Sequence, residues 1–350
     1  MRFNFGTVTG TSGTIGPLTF NLTPAQVADL RAKRWYCNIH SVNFPGGEIR
    51  GQVKITNTHY DFEGDGRTNI AVFRPSANTV YTLDNITNNV YVNRFGSGAD
   101  DNWRPTSDFD GDGRSDPVIV KLTVPPPGNS GYHTILQTGS NTVRTVIWGN
   151  FATAVGDTLA YGDYDGDSKQ DIAVFRSSTG VRYIIESSTN TSRVVQNFGA
   201  PNDLPAVGDY DKDGKTDLCV VRNTGGQLVW YILNSSNGQL RVVPFGSATF
   251  NDSFFFFNQI DVDGDGAQDI MVNRTVGVNR VYYVLRSSDN QLYTLQRGLA
   301  TDSPIVGDYD GDGKTDFASR RLVSGQLLWY IYQSSNQQGR QVAFGAAGDQ

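Results

Sequence analysis

The sequence predicts an all-β fold: a calcium-binding β-propeller of six or seven blades, each of four antiparallel strands, preceded by a small β-rich segment with one short helix. Three observations carry this expectation. A nine-residue acidic cassette recurs six times, short β-rich runs separated by turn residues lie between the copies, and an aromatic-glycine pair closes almost every copy.

In its fullest form the cassette reads Asp308-Tyr-Asp-Gly-Asp-Gly-Lys-Thr-Asp316. Copies begin at Asp61, Asp108, Asp163, Asp209, Asp261 and Asp308, at intervals of 47, 55, 46, 52 and 47 residues. That interval is the length of a four-stranded blade. The copy starting at Asp209 shows the parse. Strands are expected over 218–222, 228–234 and 240–245, with turns at 223–227 and 235–238. The segments leading into a cassette, 205–208 and 254–260, supply a fourth strand.

Acidic or amide side chains fall at positions 1, 3, 5 and 9 of every cassette, so a tight loop can aim several hard oxygen donors at one centre, which suits Ca²⁺. The candidate ligands are Asp61, Glu63, Asp65 and Asn69 in the first copy and Asp108, Asp110, Asp112 and Asp116 in the second. Asp163, Asp165, Asp167 and Asp171 follow, then Asp209, Asp211, Asp213 and Asp217. Asp261, Asp263, Asp265 and Asp269 form the fifth set, and Asp308, Asp310, Asp312 and Asp316 the sixth, for up to six ions. Glycine at position 6 (Gly66, Gly113, Gly214, Gly266, Gly313) permits the positive φ that folds the loop back, and Ser168 replaces it in the third copy. The start resembles an EF-hand loop, but position 12 carries no glutamate and strand-like runs such as Ile70-Ala-Val-Phe73 follow instead of a helix.

Composition agrees. With 38% hydrophobic and 11% aromatic residues in 350, the chain can bury a large core, and 39 glycines favour turns over long helices. The formal charge is −6, yet the cassettes hold 23 of the 35 acidic residues. Six bound Ca²⁺ ions would turn −6 into about +6, so the acidity describes ion sites rather than a partner. No Lys/Arg run or RNA-binding signature supports nucleic-acid binding. No apolar run is long enough to span a membrane, and the N-terminal residues lack the apolar core of a signal peptide, so either export information was removed or the chain is not the complete precursor.

Cys37 and Cys219 sit in apolar, strand-like contexts and are expected to be small buried hydrophobes rather than a disulfide. The three histidines, His40, His59 and His133, fall in no catalytic arrangement, and the abundant carboxylates belong to the cassettes. No enzymatic activity is expected. The aromatic-glycine pairs, Phe95-Gly96, Trp148-Gly149, Phe198-Gly199, Phe245-Gly246 and Phe344-Gly345, should pack between blades, with Arg297-Gly298 as the exception. Tyr81, Tyr183, Trp230-Tyr231, Tyr282-Tyr283 and Trp329-Tyr330 recur on the middle strand and are expected in the same core.

Together, Gly307-Asp-Tyr-Asp-Gly-Asp-Gly-Lys-Thr-Asp316, Val-Phe-Arg, Trp-Tyr-Ile and Phe-Gly resemble the FG-GAP/VCBS repeat family over residues 56–350. The resemblance implies a calcium-decorated propeller of the kind found in integrin-like heads and secreted bacterial surface proteins.

Residues 1–55 lack the cassette. Thr23-Pro-Ala-Gln26 reads as a capping box opening a short helix to about Lys33. Trp35 to Val53, above all Pro45-Gly-Gly-Glu-Ile-Arg-Gly-Gln52, resembles the carboxyl-terminal end of a chordin-like (CHRD) domain, the resemblance covering the last half of such a domain over Gly6 to Val53. Such a short β segment leaves strand edges to be completed, by docking onto the propeller or by a strand from a neighbouring copy that would link subunits into a homo-oligomer or fibre. The expected role is an extracellular or cell-surface structural or adhesion module whose partner is a glycan or a surface protein. A lectin-like carbohydrate-binding propeller is the second reading, and a polysaccharide lyase the third.

Overall fold

The computed structural model describes residues 26, 35–40, 43, 45, 47, 49–52, 58–96, 101–122, 130–151, 156–255 and 259–350. The chain divides into two compact units, Met1–Ile55 and Thr56–Gln350. In the first, β1 (Tyr36–Ile39) pairs antiparallel with β2 (Ile49–Gln52). His40 hydrogen-bonds through Nδ1 to the Pro45 carbonyl at 2.7 Å. The helix expected from Thr23 lies outside the described residues except for Gln26, which is helical.

The second unit is a six-bladed propeller. Blade 1 is β3 (Ile70–Arg74), β4 (Thr79–Leu83) and β5 (Val90–Arg94), and blade 2 is β6 (Asp101–Ser107), β7 (Asp116–Leu122), β8 (Ser130–Gln137) and β9 (Thr142–Asn150). Blade 3 is β10 (Asp157–Leu159), β11 (Ile172–Arg176), β12 (Val181–Ile185) and β13 (Ser192–Val195), and blade 4 is β14 (Leu204–Pro205), β15 (Leu218–Thr224), β16 (Gln227–Leu233) and β17 (Leu240–Ser247). Blade 5 is β18 (Ile270–Val276), β19 (Asn279–Leu285) and β20 (Leu292–Leu299), and blade 6 is β21 (Ser303–Gly307), β22 (Asp316–Val323), β23 (Gln326–Tyr332) and β24 (Gly339–Ala346). Neighbours within each blade pair antiparallel in chain order. The strand expected over 254–260 is not formed among the described residues; Ser253 alone bridges Asn273.

The burial pattern follows the sequence. Strands directly after a cassette are β-branched and aromatic, and Ile70-Ala-Val-Phe73 and Ile172-Ala-Val-Phe175 are buried along their length because both faces meet another blade. Outer strands such as β17 and β24 alternate exposed and half-buried. Each of six hydrophobic clusters joins two consecutive blades: Trp230 of blade 4 packs with Ile270 and Val272 of blade 5. Trp329 of blade 6 packs with Ile70 and Val72 of blade 1, closing the circle.

Two further series of contacts fix the ring. The eighth-position amide of every cassette donates to the first-position carbonyl of the preceding one: Ser115 to Asp61, Gln170 to Asp108, Thr216 to Asp163, Gln268 to Asp209, Thr315 to Asp261 and Thr68 to Asp308, at 2.6–2.7 Å. This circuit has six members and no gap for a seventh blade. An arginine at or near the end of the strand after the cassette also makes a two-pronged ion pair with an aspartate that precedes the cassette. Arg176–Asp157, Arg222–Asp203, Arg274–Asp252 and Arg321–Asp302 lie at 2.6–2.8 Å. Each guanidinium also stacks on a tyrosine of the next strand, as Arg222 does on Tyr231 at 4.7 Å.

In blade 1 the equivalent pair is Arg74–Asp349, at 2.7 Å. Gln350 exchanges both backbone hydrogen bonds with Phe73, in the place that Leu204 takes beside Val221 in blade 4. The last two residues of the chain thus pair with the strand after the first cassette and complete blade 1. No disulfide forms; Cys219 is fully buried, which pushes its thiol up to about 12. Cys37 is only half-buried, because a two-stranded sheet covers less of it than the expected core would.

Candidate metal centres

Each cassette sits between the first two strand positions of its blade, and its backbone is shaped by left-handed residues at positions 4 and 6. Position 6 has φ of 83–87° at Gly66, Gly113, Gly214, Gly266 and Gly313, and 70° at Ser168. Position 4 was not singled out in the sequence, yet it too is left-handed, even where Lys212 replaces glycine at φ 65°.

With the chain turned this way, the first-position carboxylate accepts backbone N–H groups inside the loop. In the second copy Gly111 donates to Asp108 Oδ1 at 2.5 Å and Gly113 to Oδ2 at 2.8 Å. The ninth-position carboxylate reaches back to the second-position amide, as Asp217 does to Tyr210 at 2.7 Å. Sequence reasoning missed a third set of partners: a pair of hydroxyl residues in the turn between the third and fourth strands of the blade. Ser235 donates its N–H to Asp217 Oδ1 at 2.6 Å and its Oγ–H to Asp213 at 2.7 Å, while Ser236 Oγ–H reaches Asp211 at 2.5 Å. Ser187-Ser188, Ser287-Ser288 and Ser334-Ser335 repeat this arrangement. Their fixed place after the cassette was the available signal, but a Ser-Ser pair in a turn has an ordinary local reading.

These bonds draw carboxylate oxygens together. Asp108, Asp110 and Asp116, then Asp163, Asp165 and Asp171, then Asp209, Asp211 and Asp217, and finally Asp308, Asp310 and Asp316 each place three oxygens within 4.8 Å of one another. In the fifth copy the trio is Asp261, Asp263 and Asp265. Asp112, Asp167, Asp213 and Asp312 stand outside these trios. Asp112, Asp213 and Asp312 accept the seventh-position amide and a hydroxyl. Asp167 does the same with Lys169 and Ser187. Asp269 is likewise outside its trio and bonds Val262 and Ser287. Among the described residues the first copy forms no such trio: Glu63 and Asn69 replace aspartates, Asn69 Oδ1 accepts from Phe62, and Asn85 stands where blades 3 to 6 carry the first serine of the pair.

The donor set fits a divalent oxygen-seeking cation. Oδ1 of Asp211 and Oδ1 of Asp310, both at position 3, are buried with no hydrogen-bond partner, although each other oxygen is bonded to serine. Burial pushes the carboxyls up, with adjacent aspartates adding to the rise and backbone N–H groups opposing it: Asp116, Asp163 and Asp316 to about 7, and Asp108, Asp171, Asp217, Asp269 and Asp308 to about 6. Gathered, partly buried carboxyls with elevated pKa gain from a cation that replaces the lost hydration.

Fold and loops together define a six-bladed β-propeller with an FG-GAP-like repeat. Residues 209–272 match the family model for the FG-GAP-like repeat, and residues 4–53 match that for the CHRD domain. No curated protein matches the sequence. Among solved structures, the Dos1 propeller is similar at 11% identity and a TM-score of 0.38, over 79% of this chain and 68% of that one. Porphyromonas gingivalis dipeptidyl peptidase 4 is similar at 9% identity and a TM-score of 0.36, over 84% of this chain and 41% of that one. Neither likeness bears on activity. No helix among the described residues is long and apolar enough to cross a membrane.

Proposed function

We propose that the protein is an extracellular, calcium-stabilised propeller that serves as a structural or adhesion module and has no enzymatic activity. The observation that carries the calcium reading is the repeated trio of aspartates, in five blades, with a buried unpartnered oxygen at Asp211 and at Asp310. Calcium would be held by the carboxylates at positions 1 and 3 with position 9, or with position 5 in the fifth copy. Its part is mechanical: it cancels the repulsion of the cassette carboxylates and ties each loop to the blade behind it. Extracellular free Ca²⁺, in the millimolar range, suits sites of this type.

The structural role is supported by the placement of these groups. The carboxylates are committed to loop-holding contacts, and His133, the buried histidine, is bonded to Tyr161 and the Trp148 carbonyl. Among the described residues the sheet β1–β2 has two strands, and its edges are where a strand of a neighbouring copy would be joined into a fibre. Metal analysis of protein dialysed against buffered calcium tests the first claim, with about five ions per chain expected and one or none overturning it. Sedimentation at several concentrations tests assembly; a monomer throughout, unaffected by removing residues 1–53, would overturn the fibre.

A further inference from the structure

Five of the six blades fill the outer part of their boundary with the ring of the aromatic-glycine pair. Phe95, Trp148, Phe198, Phe245 and Phe344 each belong to the cluster that joins their blade to the next. Blade 5 carries Arg297 at this position, and the cluster between blades 5 and 6 contains no residue in its place. A groove of about 390 Å³ lies there instead, reaching from Arg297 and Gly298 to the face of blade 6. This is within the ~300–1,000 Å³ typical of small-molecule sites.

A second departure meets the first. The residue paired with the start of the strand after the cassette is Leu83, Ile185, Leu233 or Leu285 in blades 1, 3, 4 and 5, but Tyr332 in blade 6. The Arg297 guanidinium lies over the Tyr332 ring, 4.1 Å from its centroid. Among the described residues its hydrogen bonding is limited to one bond, from Nη1 to the Gln296 carbonyl at 3.0 Å, and the side chain is exposed. Stacking of this kind fixes the plane of a guanidinium and leaves its edge for a carboxylate. No acidic residue lines the groove, and Tyr330, Gln337 and Gln341 supply hydroxyl and amide groups, while Arg340 turns its guanidinium away to Asn85 of blade 1, at 3.4 Å.

We propose that this groove binds a sugar acid, a hydroxylated ring bearing a carboxylate. The carboxylate meets Arg297, and the ring hydroxyls meet Tyr330, Gln337 and Gln341. The site is separate from the cassettes and does not depend on the calcium reading.

Isothermal titration of the full chain with digalacturonate, and with its uncharged methyl ester, at one fixed free calcium concentration, tests the proposal. Arg297→Phe and Tyr332→Leu install residues that other blades use at these positions, so both should fold with an unchanged or raised Tm. Arg297→Gln removes the charge while leaving the groove open and serves as an independent variant. Saturable binding of digalacturonate is expected, weakened about tenfold or more by Arg297→Phe, by Arg297→Gln and by esterification. Absence of binding by the natural chain, equal binding of the ester, or unchanged affinity in Arg297→Phe and Arg297→Gln would overturn it.

Discussion

The backbone N–H of Thr68 donates to the carbonyl of Asp308 at 2.6 Å, and the Asp308 N–H returns a bond to Thr68 Oγ1 at 2.9 Å, joining residues 240 apart. This reciprocal pair closes the circuit of cassettes, and the ion pair of Arg74 with Asp349 closes the same blade boundary. Burial opposes ionisation of Asp349, but the hydrogen bonds from Arg74 outweigh it and hold the carboxyl below its ordinary range. Asp349→Ala should therefore cost about 2–4 kcal/mol, somewhat under a fully buried pair because Arg74 is one-third exposed. Urea unfolding checks this; a loss under 0.5 kcal/mol would show that the ring does not depend on its last residues.

The internal counterpart, Asp203→Ala, breaks the pair with Arg222. A cost of similar size is expected if the unit unfolds as one cooperative body, again read from urea unfolding. A loss confined to the Asp349 variant would identify the closing boundary as a separate weak seam.

His133 is held neutral inside the boundary of blades 2 and 3, where burial pulls its pKa down to about 4. The unfolded chain binds a proton at about 6.5, so between these values the unfolded state carries more protons and stability falls as pH falls. The difference in unfolding free energy between the natural chain and His133→Gln should shift by up to about 3 kcal/mol from pH 7 to pH 4. A difference that stays constant over that range would show that His133 does not titrate on unfolding.

Arg182 occupies the blade 3 position that Trp230 and Trp329 hold in blades 4 and 6, and it is 1% exposed. It donates Nη2 to the Cys219 carbonyl, while Nε and Nη1 make no hydrogen bond and the guanidinium lies 5.5 Å and 5.8 Å from the Tyr164 and Phe175 ring centroids. Arg182→Met should raise stability by about 1–3 kcal/mol, since a charge without a counter-ion is removed from an apolar boundary. A destabilised variant in thermal unfolding would show that the guanidinium is worth more there than its burial costs.

Much of this arrangement was legible in the chain. Because each blade carries one cassette, the spacing from Asp61 to Asp308 measured the repeat, and Leu218-Cys-Val-Val could be placed as a strand from its apolar run alone. The pairing of Asp349 with Arg74 was not legible, since it needs the ring to be closed before the partners are neighbours. Ser235 and Ser236 read as an ordinary turn until the loop folded over the cassette. Arg297 was visible as an exception, but only the packing of blade 6 showed that a groove follows from it.

Calcium binding by the cassettes is tested most directly by thermal unfolding of the full chain in millimolar calcium and after chelation at the same pH and ionic strength. Ions bound at about 100 times their Kd contribute ~2.7 kcal/mol per site. Chelation should thus lower Tm by on the order of 10 °C or more, and added calcium should restore it. An unchanged Tm would contradict stabilisation of the propeller by calcium.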